Sequence, residues 1–327
     1  MLIKRLEECP PFNPGLPLKV TTMGNVIEVQ YMDRKNTKQT IKMLAGGDQY
    51  VECSTGEIKD VTHHTCRLEQ KKSLMRTFKA LRGVINANVE DVSKVRWITL
   101  TYAENMQDTR KLYKDFEKFN KRFQYHIQKL GYDKAEYIAV AEPQARGAWH
   151  MHVLYIFDKK APYLHNDTVF NPIWGHGITK IKQLKDCTNL GAYLTAYLGD
   201  MTLEEFAQDF VECSVKAQNF FGGENIGKGI KEVEIEDENG ARTPKKVIKG
   251  MRLAFYPAKF NMFRTSRGIK RPVQELLSQD AAADAVAGHK LTWQKTVALH
   301  DEHTDFKTFV NVRQYTKREC GNLGVCQ

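Results

Sequence analysis

Apolar and polar residues alternate in short runs over residues 18–52, as in Asn25 to Tyr31 and Gln39 to Met43. This period of two predicts strands near the N-terminus. Between residues 70 and 88 the period changes. Leu74, Phe78, Leu81 and Ile85 recur at steps of three and four, which predicts a helix. Val95 to Thr101 reads as a buried strand. A long amphipathic helix is expected from about Asp108 to Leu130, with Leu112, Phe116, Phe119, Phe123, Ile127 and Leu130 as its apolar stripe. Lys111, Lys114, Lys118, Lys121 and Arg122 lie largely off that stripe, and Gly131 suits a C-cap. Tyr137 to Ala141 and His150 to Phe157 read as strands, Asn189 to Leu198 and Leu203 to Phe221 as helices, and Thr243 to Phe263 as β-hairpin material. Ala-rich residues 281–287 open a C-terminal helix, and Leu276, Leu277, Trp293, Val297 and Leu299 suggest further helices. The order strand, helix, strand, strand, helix within 95–200 predicts an α+β fold, with a sheet covered by helices.

Composition narrows the class. The chain has 327 residues, 42% of them hydrophobic and 27% charged, which are ordinary globular values. No uninterrupted apolar run is long enough to span a bilayer. The first residues, Met1 to Glu8, lack the apolar core of a secretory signal, and seven cysteines without any CxxC pair suit a reducing compartment, so a cytoplasmic protein is expected. Net charge is +10. It is unevenly placed: residues 200–240 carry −8, residues 241–271 carry +10 and residues 67–131 carry +8. The middle block interleaves Arg252, Lys259, Arg264, Arg267, Lys270 and Arg271 with Phe255, Tyr256, Phe260 and Phe263. Cations for phosphates beside rings for base stacking suit a single-strand binding surface, although such rings also serve as core. The charges of 67–131 fit a solvated helix face equally well.

The candidate chemistry lies at His150-Met151-His152. On a strand the two imidazoles share one face, and Met151 points to the other. Glu142 ends the preceding strand, and the turn over 143–149 brings its carboxylate within reach of the pair if the strands lie side by side. Two imidazoles and one carboxylate suit Mn²⁺ or Mg²⁺, with phosphate supplying further oxygens. Tyr193 and Tyr197 stand four apart and share one face of a helix. They are either packing aromatics or, beside a metal, nucleophiles toward a phosphodiester.

Together these motifs resemble the HUH endonucleases, specifically the rolling-circle replication initiators of plasmids and phages in Gram-positive bacteria. Ile98-Thr99-Leu100-Thr101 resembles their first motif, a strand near the DNA. Gly147 to Leu154 resembles the HUH motif with Glu142 as third ligand, and Gly191 to Leu198 resembles the tyrosine helix. Ser73 to Phe78 and Ser266 to Pro272 are similar to flanking segments, so the likeness covers about residues 50–272. The resemblance implies a central antiparallel sheet of about five strands, RRM- or ferredoxin-like, flanked by helices. It also implies a metal-dependent nickase of single-stranded or hairpin origin DNA. Tyr193 would attack to leave a 5′-phosphotyrosine and a free 3′-OH, and Tyr197 either helps in termination or packs. Family helices often carry Lys three residues after the first Tyr and sometimes another further on. Ala196 and Asp200 stand there, and Lys180 and Lys182 are candidates to substitute.

The resemblance divides the chain into an N-terminal β-rich extension (1–66), an HUH endonuclease and DNA-binding domain (67–272) and a C-terminal helical tail (273–327). Expected DNA contacts are Thr99, Thr101, Arg146, Lys180, Lys182, Arg252, Arg264, Arg267, Lys270 and Arg271. Expected partners are origin DNA, a host helicase and a host polymerase, with a second copy of the chain as a further candidate and no membrane. A transposase or relaxase of the same superfamily, and a non-catalytic DNA-binding regulator on the same fold, are the alternatives. Gly222 to Gly229 falls short of a P-loop, because Gly229 replaces the metal-holding Ser or Thr. Leu154 replaces the acid of an HxHxD metallohydrolase, and His63, His64 and Cys66 lack a second ligand pair.

Overall fold

The computed structural model describes residues 2–37, 39–182, 184, 191, 199–208, 230–236, 242–248, 250–301 and 305–317. The chain divides into two compact units, His64–Lys270 and the combination of Met1–His63 with Arg271–Gln327. In chain order the strands of the first 63 residues are β1 (Leu2–Leu6), β2 (Leu18–Met23), β3 (Val26–Met32), β4 (Ile41–Met43), β5 (Gln49–Glu52) and β6 (Ile58–Asp60). The inner unit then runs α1 (Lys71–Asn88), β7 (Val95–Thr101), α2 (Thr109–Lys129), β8 (Glu136–Pro143), β9 (Trp149–Ile156), α3 (Asn171–Trp174), β10 (Thr179–Lys182), β11 (Met201–Thr202), α4 (Leu203–Gln208), β12 (Ile230–Glu236), β13 (Arg242–Ile248) and β14 (Phe263–Thr265). The chain returns to the outer unit with β15 (Val273–Leu277), α5 (Gln279–Ala285), β16 (His289–Asp301) and β17 (Phe306–Lys317).

The inner unit is built on a five-stranded sheet in the order β10-β7-β9-β8-β14, every neighbour pair antiparallel. Its two faces are set by strand alternation. Met151, Val153 and Tyr155 of β9 point to one side, where Leu112, Phe116, Phe119, Phe123 and Ile127 of α2 cover them in one core. Fully burying each such side chain contributes roughly 1.5–3 kcal/mol. Asp108 caps α2, accepting from the N–H groups of Arg110 at 2.7 Å and Lys111 at 3.3 Å. On the opposite side Ile138, Val140 and Leu154 pack against Leu81, Val84 and Ile85 of α1. The sheet is therefore covered on both faces, by α2 on one and α1 on the other.

Three expectations are corrected. Residues 273–327 are not a helical tail. Apart from the seven residues of α5, the described part is strand, and β15, β16 and β17 join β1, β2 and β3 in one six-stranded sheet of order β1-β16-β17-β3-β2-β15. Trp293, Val297 and Leu299 are separated by even steps, which suit a strand as well as a helix, and pairing with β17 and β1 decides between them. The hairpin expected over 243–263 lies earlier, at β12 and β13. Residues 251–255 form a 3-10 turn instead, with Met251, Leu253 and Ala254 buried. Finally, the basic block does not present one field. Its strand β13 pairs with the acidic β12, setting Lys246 opposite Glu232 and Arg242 opposite Glu236, while Lys245 meets Glu204 at 2.9 Å.

Candidate active site

The site grows from the middle of the five-stranded sheet. β9 is its central strand, hydrogen-bonded on both sides, so its side-chain directions are firmly set. His150 lies opposite Glu142 of β8 and Thr101 of β7, and His152 lies opposite Val140 and Thr99. Directly opposed residues share a face. Glu142, His150, His152, Thr99 and Thr101 therefore stand together on the α1 side, with Lys180 of β10 beside Thr99 and Lys182 beside Trp97 on the same face. Met151 is fully buried on the other side.

The polar contacts are specific. His152 Nε2 is hydrogen-bonded to Glu142 Oε2, and its Nδ1 lies 3.0 Å from Thr99 Oγ1. Arg252 Nε reaches Glu142 Oε1 at 3.0 Å. The remaining nitrogens of Arg252 donate to the carbonyl of Pro143 at 3.0 Å and to both carboxylate oxygens of Glu205 at 2.9 and 3.0 Å, while Nε also donates to the carbonyl of Asp200 at 2.9 Å. Burial by itself would raise the Glu142 carboxyl, but the adjacent Arg252 and His152 outweigh it and hold the group down at about 2. Burial would likewise lower Arg252, yet Glu142 and Glu205 keep it charged, above its ordinary range. Burial pushes His150 down to about 4, against the pull of Glu142, so it is a neutral imidazole at pH 7. Its Nε2 is buried without a hydrogen-bond partner.

A neutral imidazole with an unpartnered buried nitrogen, a second imidazole and an ionised carboxylate form a donor set of the kind that takes a divalent cation. A bound cation would satisfy the orphaned nitrogen, which otherwise carries a desolvation cost. Among the described residues no three such groups are clustered tightly enough to hold a metal as they stand, because Glu142 is engaged by His152 and Arg252. A cation would replace the proton between His152 and Glu142. Thr99 would then accept from His152 Nδ1, since a hydroxyl serves either role.

The other expected site residues are scattered. Arg252 does not face DNA: it is a 6% exposed cation whose polar hydrogens are directed at protein acceptors. Its apolar neighbours Met251, Leu253 and Ala254 are the signal in the sequence that could have revealed this. Arg264 projects to the α2 side, 3.5 Å over the Tyr113 ring, away from the histidines. The rings of the basic block are largely packed. Tyr256 is fully buried and donates to the Ala141 carbonyl at 2.8 Å, and Phe260 stacks on Trp149 with centroids 4.9 Å apart. Arg146 is tied to the Tyr102 carbonyl at 3.0 Å and to Gln144 at 3.2 Å. Arg267, Lys270 and Arg271 are exposed, as are Lys180 and Lys182. Tyr193, Tyr197 and the helix expected over 189–198 lie outside the described residues except for Gly191. Its N–H donates to Asn86 Oδ1 of α1 at 2.8 Å. Asp200 accepts from the Gly250 N–H at 3.0 Å, so it caps a turn.

No curated protein and no solved structure matches the chain. Residues 95–202, from β7 through β11, match the model of a family described as replication-associated protein ORF2. That span contains Glu142, His150, His152, Tyr193 and Tyr197, and the match supports a replication-initiator role for a chain whose candidate chemistry lies within it.

Proposed function

We propose that this protein initiates rolling-circle replication by nicking single-stranded origin DNA and carrying the cut strand on Tyr193. The reading rests on one observation: Glu142, His150 and His152 share one face of two paired strands, with a buried imidazole nitrogen unpartnered, inside the span that matches a replication-associated family. Glu142, His150 and His152 would hold Mn²⁺ or Mg²⁺, and Thr99 would fix the ring of His152. When bound, such a cation polarises a phosphodiester and offsets its developing charge.

The chain's own groups do the rest. The Tyr193 hydroxyl attacks phosphorus, so that its O–P bond forms as the bond to the 3′ oxygen breaks. The phenolic proton leaves and the departing oxygen gains one, giving a 5′-phosphotyrosine and a 3′-OH that a host polymerase extends. Because one phosphate ester replaces another, rejoining needs no ATP. Tyr197 or a second copy of the chain would serve in termination. Thr99, Thr101, Lys180 and Lys182, on the histidine face, would border the scissile strand, with Arg146, Arg267, Lys270 and Arg271 further along it. A host helicase would open the duplex in the cytoplasm.

The engagement of Glu142 by Arg252 and His152, with Ala196 where related helices carry Lys, favours a second reading as a regulator that binds the origin without cutting. One assay separates the two. A single-stranded oligonucleotide from the inverted repeat near the gene, incubated with Mn²⁺, is expected to yield a covalent adduct on a denaturing gel. Tyr193→Phe should reduce that adduct to background, and chelator should abolish it. Undiminished adduct in Tyr193→Phe would remove the assignment of the nucleophile, and cleavage in excess chelator would remove the cation.

A further inference from the structure

α1 has a feature that the site does not use. Its 18 residues contain no acidic side chain, and its first turn carries none to complement the helix dipole, nor does a side chain cap it. Cations near a helix N-terminus oppose the dipole, so their accumulation there works against local stability. Leu74, Leu81, Val84 and Ile85 are buried. Lys72, Arg76 and Lys79, spaced by four and three, lie exposed on the outer side. The three stand within about 10 Å along the axis. The only aromatic of α1, Phe78, is partly buried and packs inward against both cores of the inner unit, so the ridge offers charge without rings. The second half of the same helix receives the segment that leads to Tyr193. Gly191 sits against α1 so closely that a Cβ there would lie 2.4 Å from the Arg82 carbonyl oxygen and 2.8 Å from Asn86 Oδ1. Through Leu81, Val84 and Ile85 the helix lies on the histidine face of the sheet.

We propose that the outer ridge of α1, Lys72, Arg76 and Lys79, docks the phosphate backbone of duplex DNA, so that one helix holds the double-stranded part of the origin and seats the segment carrying Tyr193. This rests on the reading of the chain as a DNA-handling replication protein. Duplex is the partner because a rigid row of cations without exposed rings matches a phosphate row, whereas single strands are held by stacking on aromatics.

The test is fluorescence anisotropy on the full chain, without added metal, using a labelled duplex and a single strand of equal length across a salt series. Replacing Lys72, Arg76 and Lys79 together by Ala should weaken duplex binding at least tenfold, and the log–log salt slope should become shallower by about 2.7, roughly 0.9 per phosphate contact. Lys72→Arg with Lys79→Arg should keep parental binding. Lys114, Lys118 and Lys121 to Ala, on α2 at the other face of the sheet, should leave the slope unchanged. Parental duplex affinity in the α1 variant, an equal loss in the α2 variant, or a loss confined to the single strand would each overturn the proposal. Nicking of the single-stranded oligonucleotide is scored separately. A parent that binds duplex through α1 yet never nicks would keep this proposal and defeat the nickase.

Discussion

At the scale of single residues, the most informative side chain is Arg252. Two carboxylates face it, those of Glu142 and Glu205, together with two backbone carbonyls. A buried charge persists only with such compensation, and removing one partner leaves the others stranded. Arg252→Ala is therefore expected to cost about 3–5 kcal/mol in urea unfolding, the range for breaking a buried ion pair. Arg252→Lys should recover little of it, because one ammonium cannot reproduce a planar fork of five donors. A loss under about 1 kcal/mol in the Ala variant would mean that water satisfies the two carboxylates. The same residue marks where sequence reasoning failed. Its charge suggested DNA, and only the burial of its neighbours reveals that the charge is spent on the protein. The His150, His152 and Glu142 constellation was legible for the opposite reason: strand alternation is a local rule, and the turn between β8 and β9 is short enough to dictate their pairing.

At the scale of elements, the inner unit was legible wherever hydrophobic periodicity ran long. α1, β7, α2, β8 and β9 fall within a few residues of their expected bounds, because each buries a continuous stripe against one sheet. The contact of α1 with Gly191 was not legible, since it joins residues far apart in sequence. It makes a prediction. Gly191→Ala places a methyl group where two α1 oxygens already lie within 2.8 Å, so the segment bearing Tyr193 must move away. Adduct formation on the single-stranded oligonucleotide should fall at least tenfold, because small displacements of a nucleophile carry large rate penalties. Duplex affinity, measured by anisotropy, should stay within about twofold of the parent, since surface changes away from the contact are nearly neutral. Loss of both together would place the fault in α1 itself rather than in the docking of that segment.

At the scale of the whole molecule, the two ends of the chain form one unit. β15 and β17 hydrogen-bond to β2 and β3, and β16 to β1. Residues from Val273 onward are therefore not a dispensable appendage. Deleting them removes three of six strands from that sheet and bares the core around Val20, Val29 and Tyr31. Limited proteolysis of the deletion variant should cut rapidly within residues 1–63 while the segment from His64 to Lys270 resists. Equal resistance in both parts would mean that β1–β3 fold without their partners. The net charge of +10 also changes meaning at this scale. The acidic and basic blocks are consecutive in sequence, and folding sets their strands side by side, so much of the field is cancelled within the protein. By itself the sequence determined what depends on near neighbours: helical and strand periods, the shared face of two histidines, the cap at Asp108 and the absence of a long apolar span. Only the tertiary structure decided what depends on distant chain segments meeting: the strand identity of the C-terminal part, the burial of Arg252 against Glu142 and the cancellation of opposed charges. Such pairings are chosen by long-range burial and hydrogen bonding, which no local period encodes.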